Sequence, residues 1–278
     1  MNKKVLVTLA SGTHAEYAEL TKSRLIQYGK NHGYDVQIFG EPLTNERSPL
    51  WSKILIIQKM FLSYEFVLWI DSDAVIVDLS TDIFDEIDVD ETELAIVEHS
   101  TWGQTHLNAG IMLIRRTNLM SEFLATVWDQ VDLIHHTWAE QAAILRCLGI
   151  DSKKFPIGPG SLTSKIPINV KFLDKKWNAI RQDYPQGSIK IRHFAGENHE
   201  TRKFLISSLT LDNSNSRENF EIGIKQVNEF AAYDRAISER NSAIVERDNA
   251  ILERDQLLAS KSWKLTKPLR SLYDRLFG

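Results

Sequence analysis

Cysteine is almost missing: of 278 residues only Cys147 carries a thiol. One thiol forms neither an intramolecular disulfide nor a cysteine-rich zinc site, and a reducing compartment is expected. A surplus of positive charge is missing too, with 33 lysines and arginines against 37 acidic residues and a net charge of −4. Without excess cations to displace counterions, the composition argues against a general nucleic-acid binder. Long hydrophobic runs are the third absence. The opening "MNKKVLVTLASG" starts basic, but its apolar run reaches only from Val5 to Ala10. Neither an export signal nor a bilayer-spanning segment is read there or further on, so a cytoplasmic protein is expected.

What is present is ordinary globular material, 43% hydrophobic and 25% charged, enough for one large domain or two small ones. "KVLVTLAS" is a short β-branched run, followed from about His14 by a helical pattern. "YDVQIFG" reads as a second strand, "PLWSKILIIQKMFLSY" as a helix suited to burial beneath a sheet, and "FVLWID" as a third strand. This β-α-β-α-β order predicts a parallel α/β sheet with its ligand crevice beyond the carboxyl ends of the strands. "ELAIVEHS", "NAGIMLIRR" and "SIKIRHFAG" add later strands, and "TNLMSEFLATVWDQV" and "AEQAAILRCLG" add helices.

The stretch "FVLWIDSDAVIVD" carries Asp71 and Asp73 to the edge of that core. On an extended strand two carboxylates two positions apart point the same way, with Ser72 on the other side. Such a pair repels itself unless a cation, a shared proton or hydrogen-bond donors compensate, and a hard divalent metal is the simplest compensation. Strand termination and turn capping account for the same local string. His193 in "RHFAG" offers an imidazole, a suitable third ligand for a manganese-like metal. Arg202 and Lys203 suit a diphosphate or a solvated turn. Lys53 in "LWSK" lies on the helix before the aspartates, either within reach of phosphate oxygens or at the surface. Asn108, Ala109 and Gly110 open a predicted strand with one polar and two small residues, which permits close backbone approach or a tight turn. Glu140 and Gln141 sit at a predicted helix start, where an acid also complements the helix dipole.

The ordered set "LWSK", "VLWIDSDAVI", "LNAGIMLIRR", "EQAAIL" and "IRHFAG" resembles the GT-A-fold glycosyltransferases of family 34, which include plant xyloglucan xylosyltransferases and yeast galactosyl- and mannosyltransferases. The glycogenin-like retaining enzymes are the next nearest. The resemblance covers residues 1–205 and implies a single Rossmann-like α/β GT-A domain with a C-terminal helical extension. It further implies Mn2+ (or Mg2+) held by Asp71, Asp73 and His193, chelating the diphosphate of a nucleotide-sugar donor. Lys53 would contact the donor phosphates, with Ser72, Ala109, Gly196 and Lys203 also beside the donor, and Asn108 and Gly110 would line its sugar. Glu140, Gln141 and Asn108 are the implied catalytic residues; Glu140 stands where relatives carry aspartate. The implied reaction moves a hexosyl or pentosyl unit to a glycan or lipid-linked glycan acceptor with retention at C1. An inverting enzyme would instead need a carboxylate base, for which Glu140 is available. "DSDAV" also fits the Asp-x-Asp-x-Val string of haloacid-dehalogenase-like magnesium phosphohydrolases. That reading lacks its downstream acidic pair and usually places its aspartates on the first strand. A degenerate scaffold protein is the third reading, opposed by the intact Asp, Asp and His.

Past residue 205 the composition changes. Residues 206–219 read as a polar linker and 220–259 as a helical segment, within which "SERNSAI", "VERDNAI" and "LERDQLL" repeat every seven residues. The apolar seam is narrow, since Arg247, Asp248, Arg254 and Asp255 fall where a zipper needs apolar residues, so a docking or weakly self-associating helix is expected. Residues 260–278 hold five basic residues against the single acid Asp274, a local +4 that leaves −8 for the rest of a chain totalling −4. The repeat and this tail resemble those of bacterial polysaccharide-assembly glycosyltransferases. The basic amphipathic end suits an anionic membrane surface, which makes a peripheral location at the inner face of the plasma membrane an expectation. Packing on its own domain explains the same pattern.

Overall fold

The computed structural model describes residues 3–101, 104–152, 155–160, 166–180 and 188–210, with nine further positions from Arg240 to Gln256. In chain order the elements are β1 (Lys4–Leu9), α1 (His14–His32), β2 (Tyr34–Phe39), α2 (Ser52–Met60), β3 (Phe66–Ile70), β4 (Ala74–Ile76), β5 (Leu94–Thr101), β6 (Gln104–Arg115), α3 (Asn118–Trp128), α4 (Ala139–Cys147), β7 (Val170–Leu173), β8 (Ile191–His193) and α5 (His199–Thr210). Helix ends follow local chemistry. Gly33 stops α1 in a left-handed conformation (φ 72°), its N–H donating to Gly29 O. Thr117 caps α3, its Oγ1 accepting from the Met120 N–H at 3.0 Å.

Six strands form the main sheet in the order β2-β1-β3-β6-β5-β7. β1 pairs in parallel with β2 and β3, and β5 with β7, as the alternating strand-helix order predicts. β6 departs from the expected parallel sheet and runs antiparallel to both neighbours. Only two residues separate it from β5, and so short a connection permits only an antiparallel return. Both faces of the central strands are covered. Val5, Val7, Val67 and Trp69 pack with residues of α2, α3 and α4. Leu6, Phe66, Leu68 and Ile70 pack with Leu25 and Tyr28 of α1. Burial on two faces explains why "FVLWI" is apolar throughout rather than alternating. A separate two-stranded ladder, β4 with β8, sets Ala74 opposite His193.

The chain divides into two compact units, Met1–Lys225 and Gln226–Gly278. At the expected boundary near residue 205 the structure continues as helix: α5 runs to Thr210, because Leu205, Ile206 and Leu209 are buried. The polar run that reads as a linker therefore starts inside α5. Of the seven-residue repeat, Arg240, Ala243, Glu246, Arg247, Ala250, Ile251, Glu253, Arg254 and Gln256 are helical and exposed. The rest of residues 220–259, and all of 260–278, lie outside the described residues. Among the described residues no helix is long and apolar enough to cross a membrane.

Candidate active site

The chain leaves the core at Ile70 and turns at once. The Asp71 N–H donates to Gly110 O at 2.8 Å, extending the β3–β6 pairing by one residue, and the Ala74 N–H donates back to Asp71 O at 3.0 Å. Asp71, Ser72 and Asp73 thus occupy a tight turn between β3 and β4, where strand alternation does not apply. Ser72 accordingly lies on the cavity side, its Oγ 2.8 Å from His14 Nδ1.

The β4–β8 ladder brings in the third predicted ligand. The Phe194 N–H donates to Asp73 O at 3.1 Å, fixing His193 against the turn. His193 Nε2 lies 3.2 Å from Asp73 Oδ1 and 3.8 Å from Asp71 Oδ2. One ligand atom from each of Asp71, Asp73 and His193 falls within 4.8 Å of the others. Asp73 also meets Arg202 Nε at 3.3 Å. Burial alone would raise the Asp73 carboxyl, but His193, Arg202 and His14 outweigh it and hold the group well below the usual carboxylate range. Two carboxylates and an imidazole suit a manganese- or magnesium-like cation, so the donor set present is compatible with the metal that the sequence resemblance implies.

The opposite wall is built around an irregularity in β6. Pairing with β5 jumps from Ile96↔Met112 to Val97↔Asn108, leaving Ala109, Gly110 and Ile111 as a bulge. Backbone groups released from a ladder need other partners. Here the Ala109 N–H donates to Gln141 Oε1 at 3.0 Å and Ala109 O accepts from Lys53 Nζ at 3.0 Å. The Gly110 N–H donates to Asn108 Oδ1 at 2.9 Å, and Gly110 O accepts from Asp71. The expected strand start at Asn108 is therefore corrected: β6 begins at Gln104, and Asn108 is the last paired residue before the bulge.

Lys53 meets protein partners at the cavity wall. It is buried, and its three ammonium hydrogens have three acceptors: Ala109 O, Glu140 Oε1 at 2.8 Å and Asp71 Oδ1 at 3.2 Å. Burial works against the charge, but the Asp71 and Glu140 carboxylates overcome it and hold Lys53 above its ordinary range. Burial raises Glu140, with Lys53 opposing only in part, and Glu140 Oε2 is buried without a hydrogen-bond partner. Just before it, Ala139 has a φ of 45°, which strains a residue with a Cβ and turns the chain at the start of α4.

These walls enclose a cavity of about 710 Å3. Of the residues singled out from sequence, Lys53, Asp71, Ser72, Asp73, Asn108, Glu140, Gln141, His193 and Gly196 line it. Ala109 and Gly110 stand behind it. Lys203 is the exception, for it points to the surface and pairs with Glu16 at 2.5 Å, whereas its neighbour Arg202 lines the cavity. One-residue spacing on α5 puts the two side chains on different faces. Sequence reasoning missed Ser11, His14 and Trp138, which also line the cavity, and Asn178 behind His193. Ser11 and His14 were findable, since they follow the carboxyl end of β1. Asn178 carried no local signal.

Mixed sheet, two-sided helical cover and an Asp-x-Asp turn beyond β3 define a GT-A fold, the fold of nucleotide-sugar glycosyltransferases. Residues 2–95 match the sequence model of the galactosyl transferase GMA12/MNN10 family, which the chain therefore resembles over its N-terminal third. Among solved structures, the chain is similar to a glycosyltransferase involved in the glycosylation of the major capsid of PBCV-1, at 22% identity and TM-score 0.54, covering 73% of this chain and 98% of that one. It also aligns with the bifunctional glycosyltransferase WbbM (12%, TM-score 0.48, 79% and 51%) and the galactosyltransferase LgtC (13%, 0.41, 77% and 99%). No curated protein sequence matches.

Proposed function

We propose that this protein is a divalent-metal-dependent glycosyltransferase that moves a hexosyl or pentosyl unit from a nucleotide-diphosphate sugar to a glycan or lipid-linked glycan acceptor with retention at C1. The observation that carries this reading is the convergence of Asp71, Asp73 and His193 in the cavity at the end of β3. These three residues would hold Mn2+ or Mg2+, which supplies Lewis-acid stabilisation of charge on the departing diphosphate. Arg202, fixed through Phe194 O and Glu197 O, adds positive charge at the same wall. Glu140 is held by Lys53, and its unpartnered Oε2 would accept from a hydroxyl of the donor sugar. Gln141, clamped at its oxygen by the Ala109 N–H, presents its NH2 as a fixed donor. Asn108 has its Oδ1 occupied by Gly110 and Asn178, so its NH2 is the part that would contact the sugar.

The assignment to surface glycan assembly, on the cytoplasmic face of a membrane, is supported by the basic amphipathic composition of residues 260–278. Calorimetric titration of UDP- and GDP-sugars with and without Mn2+ tests the central reading. Metal-dependent binding of a nucleotide sugar, followed by transfer to an acceptor whose new linkage keeps the donor's anomeric configuration, is expected. Binding that ignores the metal would overturn it, and phosphate release from simple monoesters would favour a phosphohydrolase instead.

A further inference from the structure

We propose that Asn178 is a positioning residue that sets the neutral tautomer of His193, so that the ring presents its bare nitrogen to Asp71 and Asp73. A backbone N–H only donates, and that of Gly110 donates to Asn108 Oδ1 at 2.9 Å. The Asn108 amide is thereby oriented, with its oxygen toward Gly110. The same oxygen has a second neighbour, Asn178 Nδ2 at 2.9 Å, which must be an NH2 because two oxygens would repel. The other end of the Asn178 amide is then oxygen, and it lies 2.8 Å from His193 Nδ1. An amide oxygen only accepts, so Nδ1 carries a proton. In the neutral ring the lone pair is left on Nε2, the nitrogen nearest Asp73 and Asp71.

The relay is built, not incidental. Asn178 is wholly buried, directly after the buried Trp177. Backbone bonds on either side register it against β8: the Asn178 N–H donates to Lys175 O at 3.1 Å, that of Ala179 to Ile191 O at 2.9 Å, and that of His193 to Ala179 O at 3.1 Å. Gly110 serves twice. It starts the chain of hydrogen bonds, and a Cβ there would fall 2.2 Å from His193 Cε1, so only glycine leaves the ring its place. The relay therefore joins the β6 bulge to the predicted metal ligand through two side chains 70 residues apart. Metal-ligating histidines are commonly oriented by such a partner on the second nitrogen, and loss of the partner weakens metal binding. The consequence for metal rests on the metal-dependent reading above; the proton order does not.

Long-range proton–nitrogen spectra of 15N-histidine-labelled protein, with His193 identified by its loss in His193→Gln, read the tautomer directly when the ring is neutral. The Nδ1–H form is expected in the wild type, and a dominant Nε2–H form would overturn the proposal whatever the variants do. Asn178→Ala should populate both tautomers and raise the Kd for Mn2+, followed by the paramagnetic resonance of free Mn2+, about 10- to 100-fold. Wild-type tautomer and Mn2+ affinity in that variant would overturn it. Asn178→Asp keeps an acceptor at Nδ1 but sets its other oxygen against Asn108 Oδ1, so it should keep the Nδ1–H form while losing thermal stability, a split that a purely packing role does not explain. An Nδ1–H wild type that binds no Mn2+ would support the relay and defeat the metal reading.

Discussion

On the β4–β8 side of the cavity, Asp71, Asp73 and His193 bring ligand atoms within 4.8 Å of one another. On the β6 side, Lys53 and Glu140 meet each other at 2.8 Å, and the remaining Lys53 hydrogens go to Asp71 and Ala109 O. Both walls are rich in charge: the first gathers two carboxylates and an imidazole around one point, and the second ties its ion pair to a bulged backbone. A charged residue in a motif is therefore not by itself a ligand contact; what decides is whether its hydrogens or lone pairs are already committed. Asp71 belongs to both walls, with Oδ1 tied to Lys53 and Trp69 Nε1 and Oδ2 facing His193.

The sharpest way to break this contrast is Asp73→Asn, which removes charge without volume from the ligand wall. Loss of several kcal/mol of charge stabilisation should lower transfer about 1,000-fold or more while the circular dichroism spectrum is unchanged. Wild-type transfer at normal Mn2+ dependence would refute the assignment. On the other wall, Lys53→Met should act on stability first, costing about 3–5 kcal/mol in denaturant unfolding because two carboxylates lose their shared cation in a buried place. Adding Glu140→Gln should return part of that loss; an undiminished penalty in the double variant would mean the pair is not coupled.

Gly110→Ala links the walls. The added methyl strikes His193 and should cost about 1–3 kcal/mol and weaken Mn2+ binding together. A stable variant with normal Mn2+ affinity would show that the ring is free to move. Acid titration separates Glu140 from the background. Burial raises it above its ordinary value, so between the unfolded and folded titrations the native state holds the extra proton, and stability falls as pH rises through that window. Glu140→Gln should remove this component, seen as a flatter pH dependence of the denaturant midpoint relative to wild type. Smallest of all, Lys203→Ala removes an exposed pair with Glu16 outside the cavity and should leave melting temperature and nucleotide-sugar affinity unchanged. A large loss of affinity there would return Lys203 to the donor site.

Much of the frame was legible because it depends on short-range pattern. The runs "KVLVTL" and "FVLWI" became β1 and β3, and the helix read from His14 became α1. The position of Asp71 and Asp73 beyond β3 followed from that order, and His193 at the end of β8 completed the cluster. What escaped was set by register. The antiparallel course of β6 and the bulge at Ala109–Ile111 depend on how two strands align, not on either one alone. The short strands β4 and β7 are too brief to announce themselves, being three and four residues long.

By itself, then, the sequence determined an α/β chain with a carboxylate pair at a strand end and an imidazole far downstream, since burial on two faces requires apolar runs and such a pair requires compensation. Only the tertiary structure decided which polar groups answer one another. Lys53 turned inward because a bulge left Ala109 O without a ladder partner. Lys203 turned outward because α5 presents another face to the cavity, and Asn178 acquired a role because two backbone ladders brought it beside His193. Hydrogen-bond partners are fixed by position to within tenths of an ångström, and that is a property of the folded register rather than of composition.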